Sequence, residues 1–324
     1  MKIKAILSDF DGTLCPTSSI HHYNNESDKS NLISLNVKEA LIAISKEIPI
    51  CIISSKDFYF LYDKVKEFSN ILSCILGMET LFVENKNANI EHKNFGNGFL
   101  SNNQQIDKLN QTIIDKKCSI ISRRLLIDYE TLSTNSYILN EIARFFEINY
   151  PFITIEKKFL TVKEDLLGGI TVDWRKDKDW NKNRKIYESL VTKSLFNIFK
   201  RQNYPYPTKD QIYYHLQNLF IQKYATHPFI DVYSVKTSKG EAYDYVTSEI
   251  VNTGHNLGQI IYLGDSENDN PAFSKADISI GISSDDRLKP HLKCKYDLKF
   301  ENLSLFLKRL TANGFEFSGS LLQF

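Results

Sequence analysis

The sequence has no excess of either charge: 40 basic residues stand against 39 acidic ones. That balance excludes a chain drawn as a whole to nucleic acid or to an anionic membrane surface. Cysteine is sparse and unpatterned. The five, Cys15, Cys51, Cys74, Cys118 and Cys294, include no C-x-x-C pair, so neither a zinc site nor a disulfide framework is expected. Reduced thiols in a cytoplasmic protein are the simplest expectation. No long uncharged apolar run is present to cross a membrane. The start, Met1-Lys2-Ile3-Lys4, has too short an apolar stretch before Asp9 for a signal peptide to be expected. No internal repeat is found. What is present in quantity is apolar side chain, 42% of 324 residues. That excludes disorder as the dominant state, and the length suggests about two domains at roughly 150 residues each.

Two stretches carry the strongest chemical signal. An apolar run from Ile3 to Leu7 reads as a buried strand and stops abruptly in Ser8-Asp9-Phe10-Asp11-Gly12-Thr13. A second apolar run, Ile260-Ile261-Tyr262-Leu263, stops in Gly264-Asp265-Ser266-Glu267-Asn268-Asp269. In an open α/β sheet the carboxyl ends of the strands are where chemistry sits. Two weaker signals lie between them. A short strand over 50–53 ends in Ser54-Ser55-Lys56-Asp57 before a helical spacing at Phe58, Leu61, Tyr62 and Val65. Such hydroxyls can bind an anion at a helix start or simply cap the helix. A strand over 230–235 leads into Lys236-Thr237-Ser238-Lys239-Gly240-Glu241-Ala242 and an amphipathic helix through Tyr245, Val246 and Ile250.

Between these signals the pattern predicts further elements. A helix starts at Asn36 with Val37, Ala40, Leu41 and Ile44 on one face, and a strand covers 71–76. The loop after Thr13 carries His21 and His22, which read as solvated. From about residue 81 the character changes. A helix is expected around Ile106, Leu109 and Ile113, strands over 118–121 and 125–127, and a helix through Ile138, Ile142 and Phe145. Strands follow over 152–155, 159–162 and 169–173, then helices over 182–200 and 209–224 divided by Tyr204-Pro205-Tyr206-Pro207. Residues 156–201 hold twelve basic and seven acidic side chains, a field that would attract an anion, or equally a solvated pair of charged helices. After the second carboxylate stretch come strands over 278–282 and 296–300 and a helix with Leu303, Phe306, Leu307 and Leu310 on one face.

The D-x-D-G-T at Asp9–Thr13 resembles motif one of the haloacid dehalogenase superfamily of phosphohydrolases, and G-D-x-x-N-D at 264–269 resembles its motif four. Ser54-Ser55-Lys56 stands where motif two belongs, and K-G-x-A at 239–242 is similar to motif three of the Cof-like branch. That branch holds sugar-phosphate phosphatases such as those acting on mannosyl-3-phosphoglycerate, sucrose phosphate and trehalose phosphate. The resemblance implies an α/β fold: a doubly wound, mostly parallel, Rossmann-like core over residues 1–80 and 231–324, with an inserted α/β cap over 81–230. It implies that Asp9 is the nucleophile, that Asp11 is the acid and then the base, and that Lys239 neutralises both Asp9 and the phosphate. Ser54 and Ser55 would hold phosphoryl oxygens. Mg²⁺ would be held by Asp9, Asp11, Asp265 and Asn268 or Asp269, because anions facing a phosphate dianion need a hard cation. The implied partner is a small phosphorylated metabolite, with a sugar phosphate or phosphorylated glycoside as the leading candidate, and no nucleic acid or membrane. Cap contacts are expected, by chemical type alone, from Arg123, Arg124, Asp173 and Arg175. A phosphotransferase or mutase on the same scaffold, or a non-catalytic phosphate binder, are the other readings.

Overall fold

The computed structural model describes residues 2–16, 32–83, 120–163, 165–201, 219–225, 227–252, 258–283 and 291–324. In chain order its elements are β1 (Ile3–Ser8), α1 (Leu35–Ser45), β2 (Ile50–Ile53), α2 (Phe58–Val65), β3 (Ile71–Cys74), β4 (Glu79–Val83), β5 (Ile120–Leu125), α3 (Tyr129–Asn149), β6 (Thr154–Phe159) and β7 (Leu167–Asp173). They continue with α4 (Trp180–Arg201), β8 (Phe220–Lys223), β9 (Phe229–Tyr233), α5 (Lys239–Asn252), β10 (Gln259–Gly264), α6 (Asn270–Phe273), β11 (Ile278–Ser283), β12 (Tyr296–Lys299) and α7 (Leu303–Ala312). The chain forms two compact units, Met1–Leu125 with Ser238–Phe324, and Leu126–Thr237.

The larger unit is built on an eight-stranded sheet in the order β12-β11-β10-β1-β2-β3-β4-β5. The six strands from β12 to β3 run parallel, and β4 and β5 are added antiparallel. β2, β3 and β11 are buried along their whole length, as a sheet covered on both faces requires. Ala5, Leu7, Cys51, Ile53 and Tyr262 pack against Tyr243, Val246 and Ile250 of α5 and Phe273 of α6. Side chains alternate along a strand, so Ile6 and Ile52 point to the other face. There α1, through its apolar stripe Val37, Ala40, Leu41 and Ile44, packs on β2 and α7. Helices on both faces make the core doubly wound, as the resemblance implied.

The smaller unit has a four-stranded antiparallel sheet in the order β6-β7-β9-β8. On one face Ile155, Ile170, Val172, Ile230 and Val232 meet Ile138, Ile142 and Phe146 of α3 and Val191 and Leu195 of α4. The register places Glu156, Thr171 and Asp231 level with one another on the opposite, polar side.

Several sequence-derived boundaries move. The units divide at Leu125/Leu126 and Thr237/Ser238, where the sequence put the divisions at 80/81 and 230/231. Two added strands cause the first shift: β4 pairs with β3, and β5 with β4, extending the larger sheet. The second arises because β9 pairs with β7 and β8 rather than with a core strand. The separate strands expected over 118–121 and 125–127 are one strand, β5, and those over 152–155 and 159–162 are replaced by β6 alone. The strand expected over 71–76 ends at Cys74, where the chain turns. Phe220–Lys223, expected as the end of a helix, pairs with β9 instead; partner hydrogen bonds override a weak helical spacing. The rest of that expected helix, the helix expected around Ile106, Leu109 and Ile113, and His21, His22 and Cys118 lie outside the described residues.

Candidate active site

The parallel register brings the strand ends together. Ser8 of β1 stands level with Ile52 of β2 and Leu263 of β10, so Asp9, Ser54 and Asp265 all leave the sheet at one edge within two residues of those pairs. Asp9 is held by its backbone N–H, which donates to Leu263 O at 2.9 Å. Ser8 Oγ donates to Asp9 O at 2.6 Å. From the start of α5, Lys239 reaches into the same place. Its Nζ lies 2.7 Å from Asp9 Oδ2 and 2.7 Å from Asp269 Oδ1, with only 1% of the lysine side chain exposed. Thr13 Oγ1 donates to Asp265 Oδ1 at 3.1 Å. Lys236, in the run Lys236-Thr237-Ser238 before the helix, makes no such contact among the described residues.

Carboxylate oxygens of Asp9, Asp265 and Asp269 all lie within 4.8 Å of one another. One buried ammonium faces three carboxyl groups, and the electrostatics show the deficit. Burial pushes Asp9 up to about 6, against the pull of Lys239 and with a further push from the Asp269 charge. Burial, reinforced by the Asp9 and Asp269 charges, pushes Asp265 well above the carboxylate range. Burial alone would lower the Lys239 ammonium, yet Asp269 and Asp9 outweigh it and hold it above its ordinary value. An all-oxygen donor set with surplus negative charge fits a hard divalent cation.

Asp269 has a different surrounding from the other two. Its Oδ1 accepts from Lys239 Nζ and from Tyr262 OH at 2.7 Å each. Its Oδ2 accepts from the backbone N–H groups of Asp265 (3.2 Å) and Ser266 (3.0 Å) and from Ser266 Oγ (3.1 Å). Five donors fix this fully buried carboxylate as the anchor of the turn and of Lys239. The turn closes so tightly that a Cβ on Gly264 would sit 2.4 Å from Asp269 Cγ, which leaves glycine as the residue that fits. Asn268 is half-buried in the adjoining turn Glu267–Asp269.

Ser54 is buried, with its N–H donating to Ser73 O and its O accepting from Leu76 N. Ser54 Oγ accepts from Lys56 N at 3.3 Å. The capping role of this loop falls to Asp57, whose Oδ1 accepts from Phe60 N at 2.9 Å. Ser55 is half-buried beside it. Asp11 is half-exposed, with Oδ2 3.5 Å from Lys56 Nζ and Oδ1 accepting from Cys15 Sγ at 3.7 Å.

The four residues expected in the inserted block divide between the units. Arg123 and Arg124 lie on β5 of the larger unit, because β5 completes its sheet. Arg123 Nε is 3.2 Å from the fully buried Glu79 Oε1, a cross-strand ion pair inside the sheet. The Arg124 guanidinium sits 3.8 Å from the centre of the Tyr245 ring. Asp173 and Arg175 are in the smaller unit and bind each other: Arg175 Nε donates to Asp173 Oδ2 at 2.7 Å and its backbone N–H to Oδ1 at 2.8 Å.

Two groups escaped the sequence reading. Tyr262 looked like one more apolar strand residue, and only its hydroxyl contact with Asp269 gives it a place in the site. In the smaller unit the buried Asp231 accepts from Tyr224 OH at 2.6 Å, from Tyr233 OH at 2.9 Å and from Thr171 Oγ1, which itself accepts from Lys158 Nζ at 2.7 Å. The signal that could have found this cluster is the period-two recurrence of polar residues through 154–158 and 229–233.

The family described as haloacid dehalogenase-like hydrolase matches residues 6–297. No curated protein matches the chain. Among solved structures, the C-terminal domain of a trehalose-6-phosphate phosphatase from C. albicans is 16% identical, with a TM-score of 0.57 over 96% of this chain and 92% of that one. A haloacid dehalogenase-like hydrolase from Bacteroides thetaiotaomicron is 14% identical, with a TM-score of 0.52 over 95% and 100% of the two chains. A trehalose-6-phosphate phosphatase related protein is 13% identical, with a TM-score of 0.51 over 96% and 98%. These likenesses show a shared fold.

Proposed function

Because the chain belongs to the haloacid dehalogenase-like hydrolase family, we propose that it is a Mg²⁺-dependent phosphomonoesterase that works through an aspartyl phosphate on Asp9. The observation that carries this reading is the buried Asp9–Lys239–Asp269 chain, with Asp265 beside it, at the ends of adjacent parallel strands. A carboxylate held against an ammonium at a strand end is oriented for attack. An acyl phosphate then divides one difficult displacement into two easier ones. Asp11 gives a proton to the leaving oxygen and afterwards takes one from water. Ser54 and Ser55 contribute donors for the phosphoryl oxygens, and Lys239 offsets their charge as a compact cation. Asp9 and Asp265, with the Asp11 backbone carbonyl, would hold the divalent ion, which when bound stabilises charge on the phosphoryl group. Asp269 acts by fixing Lys239 and the metal-binding turn, and Asn268 by orienting that turn.

The substrate we assign is a sugar phosphate or phosphorylated glycoside. The larger unit's strand ends provide for phosphate and metal. Selectivity for the rest of the molecule then falls to the smaller unit, Leu126–Thr237, as a cap. The Asp173–Arg175 pair, 12% and 25% exposed, is the kind of fixed acceptor and donor that hydroxyl groups need. Two of the similar structures, a trehalose-6-phosphate phosphatase domain and a trehalose-6-phosphate phosphatase related protein, agree with this choice.

A panel of phosphorylated metabolites, with inorganic phosphate as readout and Mg²⁺ or EDTA added, tests the proposal. The expected result is Mg²⁺-dependent release with the best kcat/KM on a sugar phosphate or phosphorylated glycoside. Arg175→Ala should lower that kcat/KM more than it lowers hydrolysis of an aryl phosphate. Best activity on a nucleotide or a phosphoprotein would overturn the substrate class, and transfer to an alcohol in place of water would make the enzyme a phosphotransferase.

A further inference from the structure

We propose that Lys56 is a positioning residue for Asp11, and that its ammonium governs how well the enzyme expels leaving groups that must be protonated as they depart. This deepens the reading of the site given above and rests on it.

Several contacts confine the Lys56 side chain. Its Nζ lies 3.5 Å from Asp11 Oδ2, in a contact where the two side chains are only 19% and 26% exposed. The ammonium is 5.1 Å from the centre of the Phe60 ring, and that ring meets Phe10 edge-on at 5.9 Å. Phe10 is the fully buried residue between the two aspartates of the first motif. The backbone of Lys56 is pinned as well: its N–H donates to Ser54 Oγ at 3.3 Å and its O accepts from Ile75 N at 3.0 Å. Freely exposed lysine pairs contribute little because the side chain must give up its rotamer freedom. Here the backbone anchors and the Phe60 ring have already restricted it. On the other side of Asp11, Cys15 Sγ donates to Oδ1 at 3.7 Å. Each oxygen of the carboxyl group therefore has a partner, and the ammonium is the one that ties it to the phosphate-binding loop.

The chemistry shows what that tie affects. In the first step an Asp9 oxygen bonds to phosphorus as the bond from phosphorus to the leaving oxygen breaks, and the proton on Asp11 passes to that oxygen. In the second step Asp11 takes a proton from water while the water oxygen bonds to phosphorus; the bond to Asp9 breaks and inorganic phosphate is freed. An alkoxide, such as a sugar oxygen, needs the proton in the first step. A nitrophenolate departs without it. A misplaced Asp11 therefore harms alkyl phosphates selectively. The difference appears in kcat/KM, which reports events only through departure of the leaving group.

The test compares the full-length wild type, Lys56→Met and Lys56→Arg with Mg²⁺ on a hexose 6-phosphate and on p-nitrophenyl phosphate. The expected result is a loss of kcat/KM in Lys56→Met about tenfold larger for the hexose phosphate than for the aryl ester, part of the roughly 10²–10⁴-fold that general acid catalysis typically provides. Lys56→Arg, which restores a cation with the reach to meet Asp11, should recover most of it. Equal losses on both substrates would overturn the proposal and assign Lys56 to phosphate binding or folding. No loss on the hexose phosphate would overturn it too, as would failure of arginine to rescue. A wild type that releases phosphate from neither ester refutes the phosphatase reading itself, and this proposal with it, an outcome distinct from the other three.

Discussion

Asp9, Asp265 and Asp269 crowd round a single ammonium, and the pH behaviour of the metal-free protein follows. Asp9 is pushed by burial from 3.8 to about 6 in the folded state, and burial raises Asp265 in the same direction. For a carboxyl group raised on folding, its contribution to stability is full below its unfolded value and is lost as pH climbs through the folded one. Asp9 therefore weakens the metal-free fold as pH rises from about 4 through 6, and Asp265 acts in the same direction. A divalent cation removes the penalty where it is largest. Thermal unfolding should show a larger Mg²⁺-induced rise in midpoint at pH 7.5 than at pH 5, corresponding to about 2.7 kcal/mol of added stability at pH 7.5 when Mg²⁺ is at a hundred times its dissociation constant there. A rise that is equal at both pH values, or absent, would contradict the assignment of these carboxylates to a cation. The carboxylates themselves were legible in the sequence because two apolar strands each end in a carboxylate motif, D-x-D-G-T at 9–13 and G-D-x-x-N-D at 264–269; Asp and Gly at one strand exit alone would have read as a turn. Tyr262 was not, because an aromatic residue within a strand reads as packing, and nothing in the sequence says where its hydroxyl points.

The turn between β3 and β4 shows what happens when an element is set by contacts far away in sequence. Ile75, Leu76 and Gly77 all have positive φ, at 50°, 57° and 90°, a conformation that side chains resist. The turn is held by what it joins. Ile75 N and Leu76 N donate to Lys56 O and Ser54 O in the loop after β2, at 3.0 and 2.9 Å. Gly77 lies against the start of α5, where an added Cβ would come within 2.6 Å of Ala242 Cβ. Gly77→Ala should destabilise the protein by about 2 kcal/mol in urea unfolding, through strain at φ and overpacking against α5. It should also lower kcat, because α5 carries Lys239. An unchanged unfolding midpoint would show that the turn does not constrain α5. β5 could be read in advance only as two separate short strands, and β4 was not read at all. Glu79 and Arg123 are buried in those strands as a cross-strand pair, and a charged residue within a strand reads as a surface or binding residue. The two arginines were expected in the inserted block because the sequence placed its start at residue 81, ahead of β5, where the units divide at Leu125/Leu126.

One chain supplies both a doubly wound sheet and a separate four-stranded antiparallel unit, and the family match runs through both, over residues 6–297. The parallel core was readable because β1, β2 and β10 are apolar runs that end in the motifs themselves. The smaller unit was readable only in outline, since its strands alternate polar and apolar residues and its pairing partners are distant in sequence. The most direct test of the account is to trap the covalent intermediate. Wild-type protein is mixed with a radiolabelled phosphoester substrate and Mg²⁺, quenched in acid within one turnover, and digested for peptide mapping. The account predicts an acid-stable, hydroxylamine-labile label on the peptide that contains Asp9, with none in Asp9→Asn and near-zero phosphate release from that variant. Phosphate release at a normal rate from Asp9→Asn, or turnover in the wild type with no label on that peptide, would contradict it.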